Sequence, residues 1–180
     1  ALGLRSTWNT IAMLSLQRTG AAVVWGAGLT LTGSIRGVEG VSLQARAAAG
    51  AWLPATDLVP AADGAFSATV KPAGTTVYRL AGADGLGPML KVPVGPRVRL
   101  ARAPEPGVLS GTVRPVLAGA LVEIQRFEDG DWLTVSQTYT DERGSFSLVL
   151  ELVPGTYRAW VAPGQGLAEG ISPEREVAAT

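Results

Sequence analysis

The sequence predicts an all-β chain that folds as two tandem, small antiparallel β-sandwiches. Three observations predict this class: an internal repeat, short runs in which apolar and polar residues alternate, and turn residues between the runs. The composition agrees, because 47% of the 180 residues are hydrophobic and 17% are charged, as in folded rather than disordered chains. The 23 glycines and 12 prolines favour many short strands joined by turns.

The internal repeat has a period of about 80 residues. Six segments of the first half recur in the same order in the second half: Leu31–Gly33 as Leu109–Gly111, Val41–Gln44 as Val122–Gln125, Trp52–Leu53 as Trp132–Leu133, Asp63–Ser67 as Arg143–Ser147, Thr76–Arg79 as Thr156–Arg158, and Pro88 in the region of Ser172–Pro173. Because such an ordered set is hard to obtain by chance, the sequence predicts copies over residues 27–98 and 99–180. Residues 1–26 match neither copy and are expected to be a strand-like tail, the remnant of an upstream domain.

Period-two alternation marks the strands inside each copy. Residues 66–71 and 146–151 both begin with Phe and alternate apolar with polar side chains, except for Val149. One apolar face is typical of a half-buried strand. Dipeptides that favour turns separate the runs: Asp63-Gly64, Asp129-Gly130, Arg143-Gly144 and Pro154-Gly155. Six or seven short strands in each copy predict a small antiparallel sandwich.

Each copy also has a Trp at a matched position, Trp52 in the first and Trp132 in the second. We expect both indole rings to fill the core between the two sheets of their copy, since a buried Trp is typical of such sandwiches. These two residues are therefore assigned a structural role.

Two tyrosines have a structural interpretation through a family resemblance. The segments Lys71–Tyr78 and Leu152–Tyr157 resemble the approach to the tyrosine corner of immunoglobulin-like and fibronectin type III-like domains. In those domains the Tyr hydroxyl bonds back to nearby backbone. The resemblance covers both copies, and it implies that Tyr78 and Tyr157 hold the fold together.

The absence of His and Cys excludes several kinds of chemistry. A Ser-His-Asp or Cys-His nucleophile cannot be assembled, nor can a metal site of imidazole or thiolate ligands, nor a disulfide. We therefore expect no catalytic residues, no metal site and no cofactor. The net charge of zero gives no basic surface of the kind that binds nucleic acid. The uncharged run between Arg18 and Arg36 is too rich in Gly and Thr to span a membrane.

Three short motifs resemble functional sites, and each has a simpler interpretation. Glu128–Asp131 holds only a fragment of a calcium-loop pattern, and we expect a solvated hairpin turn. Asp141–Glu142 cannot act as a glycosidase pair, because that pair needs two carboxyls held across a cleft. Gly82–Gly87 lacks the Lys and Ser/Thr of a phosphate loop, so it is expected to be an ordinary loop.

Trp160 is the strongest candidate for ligand binding. Its counterpart in the first copy is Ala81, so the fold does not require a Trp there. It shares a strand face with Arg158, and an exposed Trp beside an Arg could stack on a sugar ring or a partner protein. Packing between the modules is the alternative interpretation.

The tail carries a second resemblance. Leu2–Trp8, within residues 1–17, looks like the closing segment of the stage II sporulation protein D (amidase-enhancer) family, in which a Leu-Arg-Ser-Thr-type stretch ends the catalytic domain. The resemblance implies a protein secreted from, or attached to the envelope of, a bacterium and acting on peptidoglycan. It also implies a catalytic domain upstream of Ala1 in the same polypeptide, and none of the family's catalytic residues falls in this chain.

The favoured hypothesis is a pair of non-catalytic accessory modules at the C-terminal end of such a protein, acting as spacer, anchor or wall-binding region. Two alternatives remain open. The chain could be a carbohydrate-binding module that uses Trp160, or the tail of another exported enzyme such as a subtilisin-like protease.

Overall fold

A computed structural model describes residues 13–20, 22–48, 50–83, 85–102 and 107–178. The described residues form strands and turns, and none of their segments is a helix long and apolar enough to span a membrane. In chain order the strands are β1 (Met13–Arg18), β2 (Val23–Val24), β3 (Leu29–Arg36), β4 (Ser42–Ala47), β5 (Leu53–Thr56), β6 (Ala65–Val70), β7 (Thr76–Gly82), β8 (Gly85–Val92), β9 (Val94–Gly95), β10 (Arg97–Arg102), β11 (Val108–Arg114), β12 (Leu121–Glu128), β13 (Asp131–Tyr139), β14 (Ser145–Val149), β15 (Gly155–Val161), β16 (Gly170–Ile171) and β17 (Arg175–Val177).

The chain divides into two compact units. The first unit comprises the described parts of Ala1–Gly20, Gly28–Val70 and Val77–Lys91. The second unit comprises those of Ala21–Ala27, Lys71–Thr76 and Val92–Thr180. Two short segments from the first half of the sequence therefore belong to the second unit, where β2 pairs in parallel with β9.

The first unit has a three-stranded sheet in the order β1-β3-β6 and a four-stranded sheet in the order β5-β4-β7-β8. In the first of these sheets β3 pairs antiparallel with both neighbours. The apolar residues of the alternating strands form the core of this unit: Leu16, Leu29, Leu31, Ile35, Leu43, Phe66, Ala68, Val70, Tyr78 and Leu80. Burial of this apolar surface is the main force that holds the sheets together.

The second unit repeats the arrangement, with sheets in the order β10-β11-β14 and β13-β12-β15-β16, and with β17 also pairing with β15. Side chains from both sheets meet in one core: Val98, Leu109, Val113, Val122, Ile124, Phe146, Tyr157, Ala159, Val161 and Val177. The predicted fold class is confirmed: the protein is all-β, built from immunoglobulin/fibronectin-like antiparallel sandwiches.

A glycine opposite a phenylalanine explains one match of the repeat. Gly33 on β3 pairs with Phe66 on β6, and a Cβ atom at Gly33 would lie 2.0 Å from the Ser15 carbonyl oxygen and 2.7 Å from the Phe66 ring. Gly111 pairs with Phe146 in the same way, with the ring 2.2 Å from the Cβ position. Both copies need Gly there because the aromatic ring lies across the backbone.

The prediction that residues 1–26 form a tail outside the copies is wrong for the described part of that range. β1 pairs with β3 along all of Met13–Arg18, and Leu16 is buried in the first core. This segment is therefore the first strand of a sandwich and needs no missing sheet. Beyond it, Trp25 donates its backbone N–H to the Gly95 carbonyl at 2.8 Å within the second unit. Residues 1–12, which carry the Leu2–Trp8 motif, lie outside the described residues.

Candidate functional site

The outer face of the larger sheet in the second unit carries a stack of Trp, Arg and Gln. The guanidinium carbon of Arg158 lies 4.0 Å from the ring centroid of Trp132. Arg158 also donates its Nε–H to Oε1 of Gln125 at 2.8 Å, across the β12–β15 register pair that these two residues form. Phe127 packs against the same indole with 5.3 Å between centroids and a tilt of 53°. The guanidinium is held by a cation–π contact and a hydrogen bond together.

The first unit contains the same stack at the matched positions. The guanidinium carbon of Arg79 lies 3.9 Å from the Trp52 centroid, and its Nε–H donates to Oε1 of Gln44 at 3.0 Å. A second cation, Arg46, lies 4.7 Å from the same centroid. Because the repeat keeps all three members of the stack, the stack belongs to the fold rather than to a ligand site.

The prediction that Trp52 and Trp132 fill the cores is wrong. Both side chains are half-buried, and neither belongs to the buried core. The physical reason is that the cores are already filled by aliphatic, Phe and Tyr side chains. The indole instead covers the outer face, where an Arg stem and guanidinium can pack on it.

The two tyrosines lie in the cores. Tyr157 is 1% exposed, and its hydroxyl donates to the carbonyl oxygen of Val153 at 2.8 Å. This bond to backbone four residues upstream has the geometry of a tyrosine corner. Tyr78, at the matched position, is 2% exposed. A buried phenol body with a satisfied hydroxyl is a stabilising arrangement.

Trp160 and Arg158 project from β15 to the outer face, while Tyr157 and Ala159 are buried on its inner face. The indole N–H of Trp160 donates to Oε2 of Glu169 at 3.0 Å. Trp160 also pairs in register with Ile171, which is exposed. The indole N–H of Trp160 and the Nε–H of Arg158 are therefore already used, and this face offers a ligand the half-buried indole ring.

The carboxylates singled out in the sequence serve turns. Oδ1 of Asp141 accepts the backbone N–H groups of Arg143 at 2.8 Å and Ser145 at 2.7 Å. The hydrogen bond from Ser145, with smaller contributions from Arg143 and Arg114, lowers the pKa of the Asp141 carboxyl and outweighs the opposing desolvation. Asp63 accepts the Ala65 N–H at 3.0 Å in the corresponding turn of the first unit. Asp141 is thus held as a turn former.

The other acidic motif, Glu128–Asp131, spans the β12–β13 hairpin, in which Asp129 and Gly130 adopt φ of 49° and 95°. Glu128 forms an ion pair with Arg126. Among the described residues, no group of three or more acidic side chains lies close enough to hold a metal ion. The expectation that Gly82–Gly87 is a loop is wrong for most of the segment, because Gly82 ends β7 and Gly85–Gly87 begin β8; residue 84 lies outside the described residues.

Sequence reasoning missed a groove on the other sheet of the second unit. It lies across β10, β11 and β14, has a volume of about 760 Å³, and is bordered by the exposed ring of Tyr139 and by the side chain of Arg99. Neither residue belongs to a motif that the sequence singles out. Comparison of the two copies at these positions could have found them, since the first copy has different residue types there.

No protein-family model matches the chain, and no curated protein matches it. Similar solved structures include a cytokine receptor complex, with 15% identity, 91% of this chain and 96% of that chain covered, and a TM-score of 0.43. A tetra-tandem repeat from the extending region of a large adhesion protein has 19% identity, covers 93% of this chain and 50% of that chain, and has a TM-score of 0.38. The fold assignment above rests on the strand pairing itself.

Proposed function

We propose that the chain is a pair of non-catalytic accessory modules of an exported bacterial protein directed at peptidoglycan. The modules space, anchor or present a wall-active domain of the same polypeptide. The observation that carries the proposal is that the special side chains shared by both copies serve the fold. The Trp–Arg–Gln stack and the Gly–Phe pair recur in both units with matching contacts.

The composition supports the non-catalytic part of the proposal. A chain without His or Cys has few groups that can act as a base or nucleophile near neutral pH. Among the described carboxylates, the one with a shifted pKa is Asp141; it accepts two backbone N–H groups, and its pKa moves away from the neutral range. A general base needs a pKa that moves toward neutrality.

The peptidoglycan part of the proposal rests on the resemblance of Leu2–Trp8 to the closing segment of the sporulation protein D family. It is tested by sedimenting the chain with purified, insoluble peptidoglycan. We expect retention in the pellet that rises with the amount of peptidoglycan and saturates. Serum albumin is the control for trapping in the pellet. Retention no greater than that of albumin would remove the wall-binding role and leave a spacer.

A second candidate function is glycan binding at Trp160. It is favoured by the outward position of the ring and by Ala81 at the matched position of the first copy. Titration with soluble glycan fragments should change the Trp fluorescence of the wild-type chain. Trp160→Ala should abolish the response, whereas Trp160→Phe, which keeps a ring but loses the bond to Glu169, should keep part of the binding. A wild-type chain that shows no ligand-dependent change would exclude this function.

A further inference from the structure

The groove on the three-stranded sheet of the second unit has a lining that is mostly apolar, with short Ser and Thr side chains supplying polar groups. Its lining includes Arg99, Ala101, Tyr139 and Asp141, together with four Ser and Thr residues. Its volume of about 760 Å³ falls within the range of about 300–1,000 Å³ that is usual for small-molecule sites. The groove is a shallow depression across the strands, so a ligand would lie along the sheet rather than enter a closed cavity.

Four hydroxyl groups form the floor of the groove, and they belong to Ser110, Thr112, Ser145 and Ser147. The register places them in two rows across the sheet, with Thr112 beside Ser145 and Ser110 beside Ser147. Within the part of the chain that the structure describes, none of these hydroxyls has a hydrogen-bond partner. Each hydroxyl can therefore donate to and accept from a ligand in place of water.

The two rows end differently. Arg99 pairs in register with Thr112 and is exposed, with no ion pair to any described residue. Ala101 pairs with Ser110 and leaves the floor open beside it, because its side chain is a single methyl group. Tyr139 borders the groove with 66% of its surface exposed, and its hydroxyl has no partner among the described residues. The groove thus combines an unpaired cation, an open floor and an uncovered aromatic ring.

The first unit shows that the fold does not require these residues. Strand register and the repeat offset give the equivalent positions: Ser15 for Arg99, Gln17 for Ala101, Val59 for Tyr139 and Ala61 for Asp141. In the first unit Ser15, which stands in place of Arg99, is hydrogen-bonded to Ser34, the equivalent of Thr112, with 2.9 Å between their Oγ atoms. The same sandwich therefore forms without the cation, the open floor or the ring.

We propose that this groove binds an acidic saccharide, a glycan whose sugar rings carry carboxylate groups. A sugar ring stacks on Tyr139, its hydroxyls exchange hydrogen bonds with the Ser and Thr rows, and a carboxylate pairs with the guanidinium of Arg99. Asp141 lies at the far side of the groove, where its Oδ1 already accepts two backbone N–H groups. The ligand carboxylate therefore belongs at the Arg99 side, away from Asp141.

The inference goes beyond the proposed function and does not use Trp160, so the two can fail separately. An extended peptide is the competing occupant. It would bind chiefly through backbone hydrogen bonds along a sheet edge, and it would gain little from a floor of hydroxyl groups. The hydroxyl rows and the exposed ring favour the saccharide.

The test is isothermal titration calorimetry of the whole chain with trigalacturonate, and with neutral galactotriose as the matched sugar. We expect saturable binding of trigalacturonate that weakens with added salt, and much weaker binding of galactotriose. Tyr139→Ala and Arg99→Ala should each reduce the affinity for trigalacturonate about ten-fold, the effect of losing one stacking or charged contact. Met89→Ala, at an exposed position of the first unit, should bind as the wild type does.

Both groove substitutions are at exposed positions, so the urea midpoints of the variants should match the wild type and show that they fold. Equal affinity for the acidic and the neutral trisaccharide would overturn the proposal. So would wild-type affinity in Arg99→Ala and Tyr139→Ala, the absence of any heat of binding at millimolar sugar, or saturable binding of an unstructured Ser-rich peptide in place of the sugar.

Discussion

Removal of one hydroxyl group tests the tyrosine corner of the second unit. In Tyr157→Phe the ring stays in its buried site, and only the hydrogen bond of 2.8 Å to the Val153 carbonyl is lost. A neutral hydrogen bond contributes about 0.5–1.5 kcal/mol net, and a fully buried orphan acceptor would cost about 1–3 kcal/mol. Val153 is a surface residue with 48% of its area exposed, so we expect the lost bond to cost less than one to a fully buried acceptor. The expected loss in the free energy of unfolding is therefore about 1 kcal/mol.

The assay is urea unfolding followed by far-ultraviolet circular dichroism, with the midpoint and slope fitted for each variant. Tyr139→Phe is the matched control, since it removes a phenol hydroxyl that has no partner among the described residues. We expect the control to change the free energy of unfolding by less than about 0.5 kcal/mol. If Tyr157→Phe and Tyr139→Phe shift the midpoint equally, the Tyr157 hydroxyl does not stabilise the fold and the argument for a corner is refuted.

Three further substitutions test other contacts. Gly33→Ala should lower the free energy of unfolding by about 1–3 kcal/mol or more, because the new Cβ atom clashes with the Ser15 carbonyl and the Phe66 ring. Gly28→Ala is the control: the nearest atom lies 3.7 Å from its Cβ position, so it should cost far less in the same urea assay. Arg158→Lys should lower the free energy of unfolding by about 1 kcal/mol, because an ammonium group cannot both stack on Trp132 and donate an Nε–H to Gln125. An unchanged urea midpoint would show that the stack does not stabilise the fold. Asp141→Asn should be less stable than the wild type near neutral pH and equally stable well below pH 3.8. The reason is that a carboxyl whose pKa is lower in the folded than in the unfolded state stabilises the fold above its unfolded-state pKa, and this stabilisation is lost as the pH falls through its folded-state pKa. A difference in the free energy of unfolding that is the same at both pH values would exclude this linkage.

The repeat and the strand alternation were readable from the sequence because both depend on local order. Residues 66–71 alternate in the chain as they alternate in β6, where Phe66, Ala68 and Val70 are buried. Period two follows from strand geometry alone, whatever the strand pairs with. The matched tyrosines were equally readable, since Tyr157 makes its corner bond within four residues of itself.

The assignment of the first strand and the two indole rings required the structure. Met13–Arg18 pairs with a strand that begins beyond residue 28, and neither segment's own sequence indicates which strand it will pair with. Trp132 lies on an edge strand whose two faces both carry large side chains, so the pattern does not say which face meets the core. The partner that holds its ring, Arg158, comes from a different strand.

The sequence by itself determined the all-β class, the duplication and the tyrosines of the two cores, because each follows from residue types and spacings within a short stretch of chain. The tertiary structure alone decided which residues meet across strands: Arg158 on Trp132, and Arg99, the hydroxyl rows and Tyr139 around one groove. The physical reason is that strand pairing brings distant segments to about 5 Å, and the sequence does not encode that distance locally.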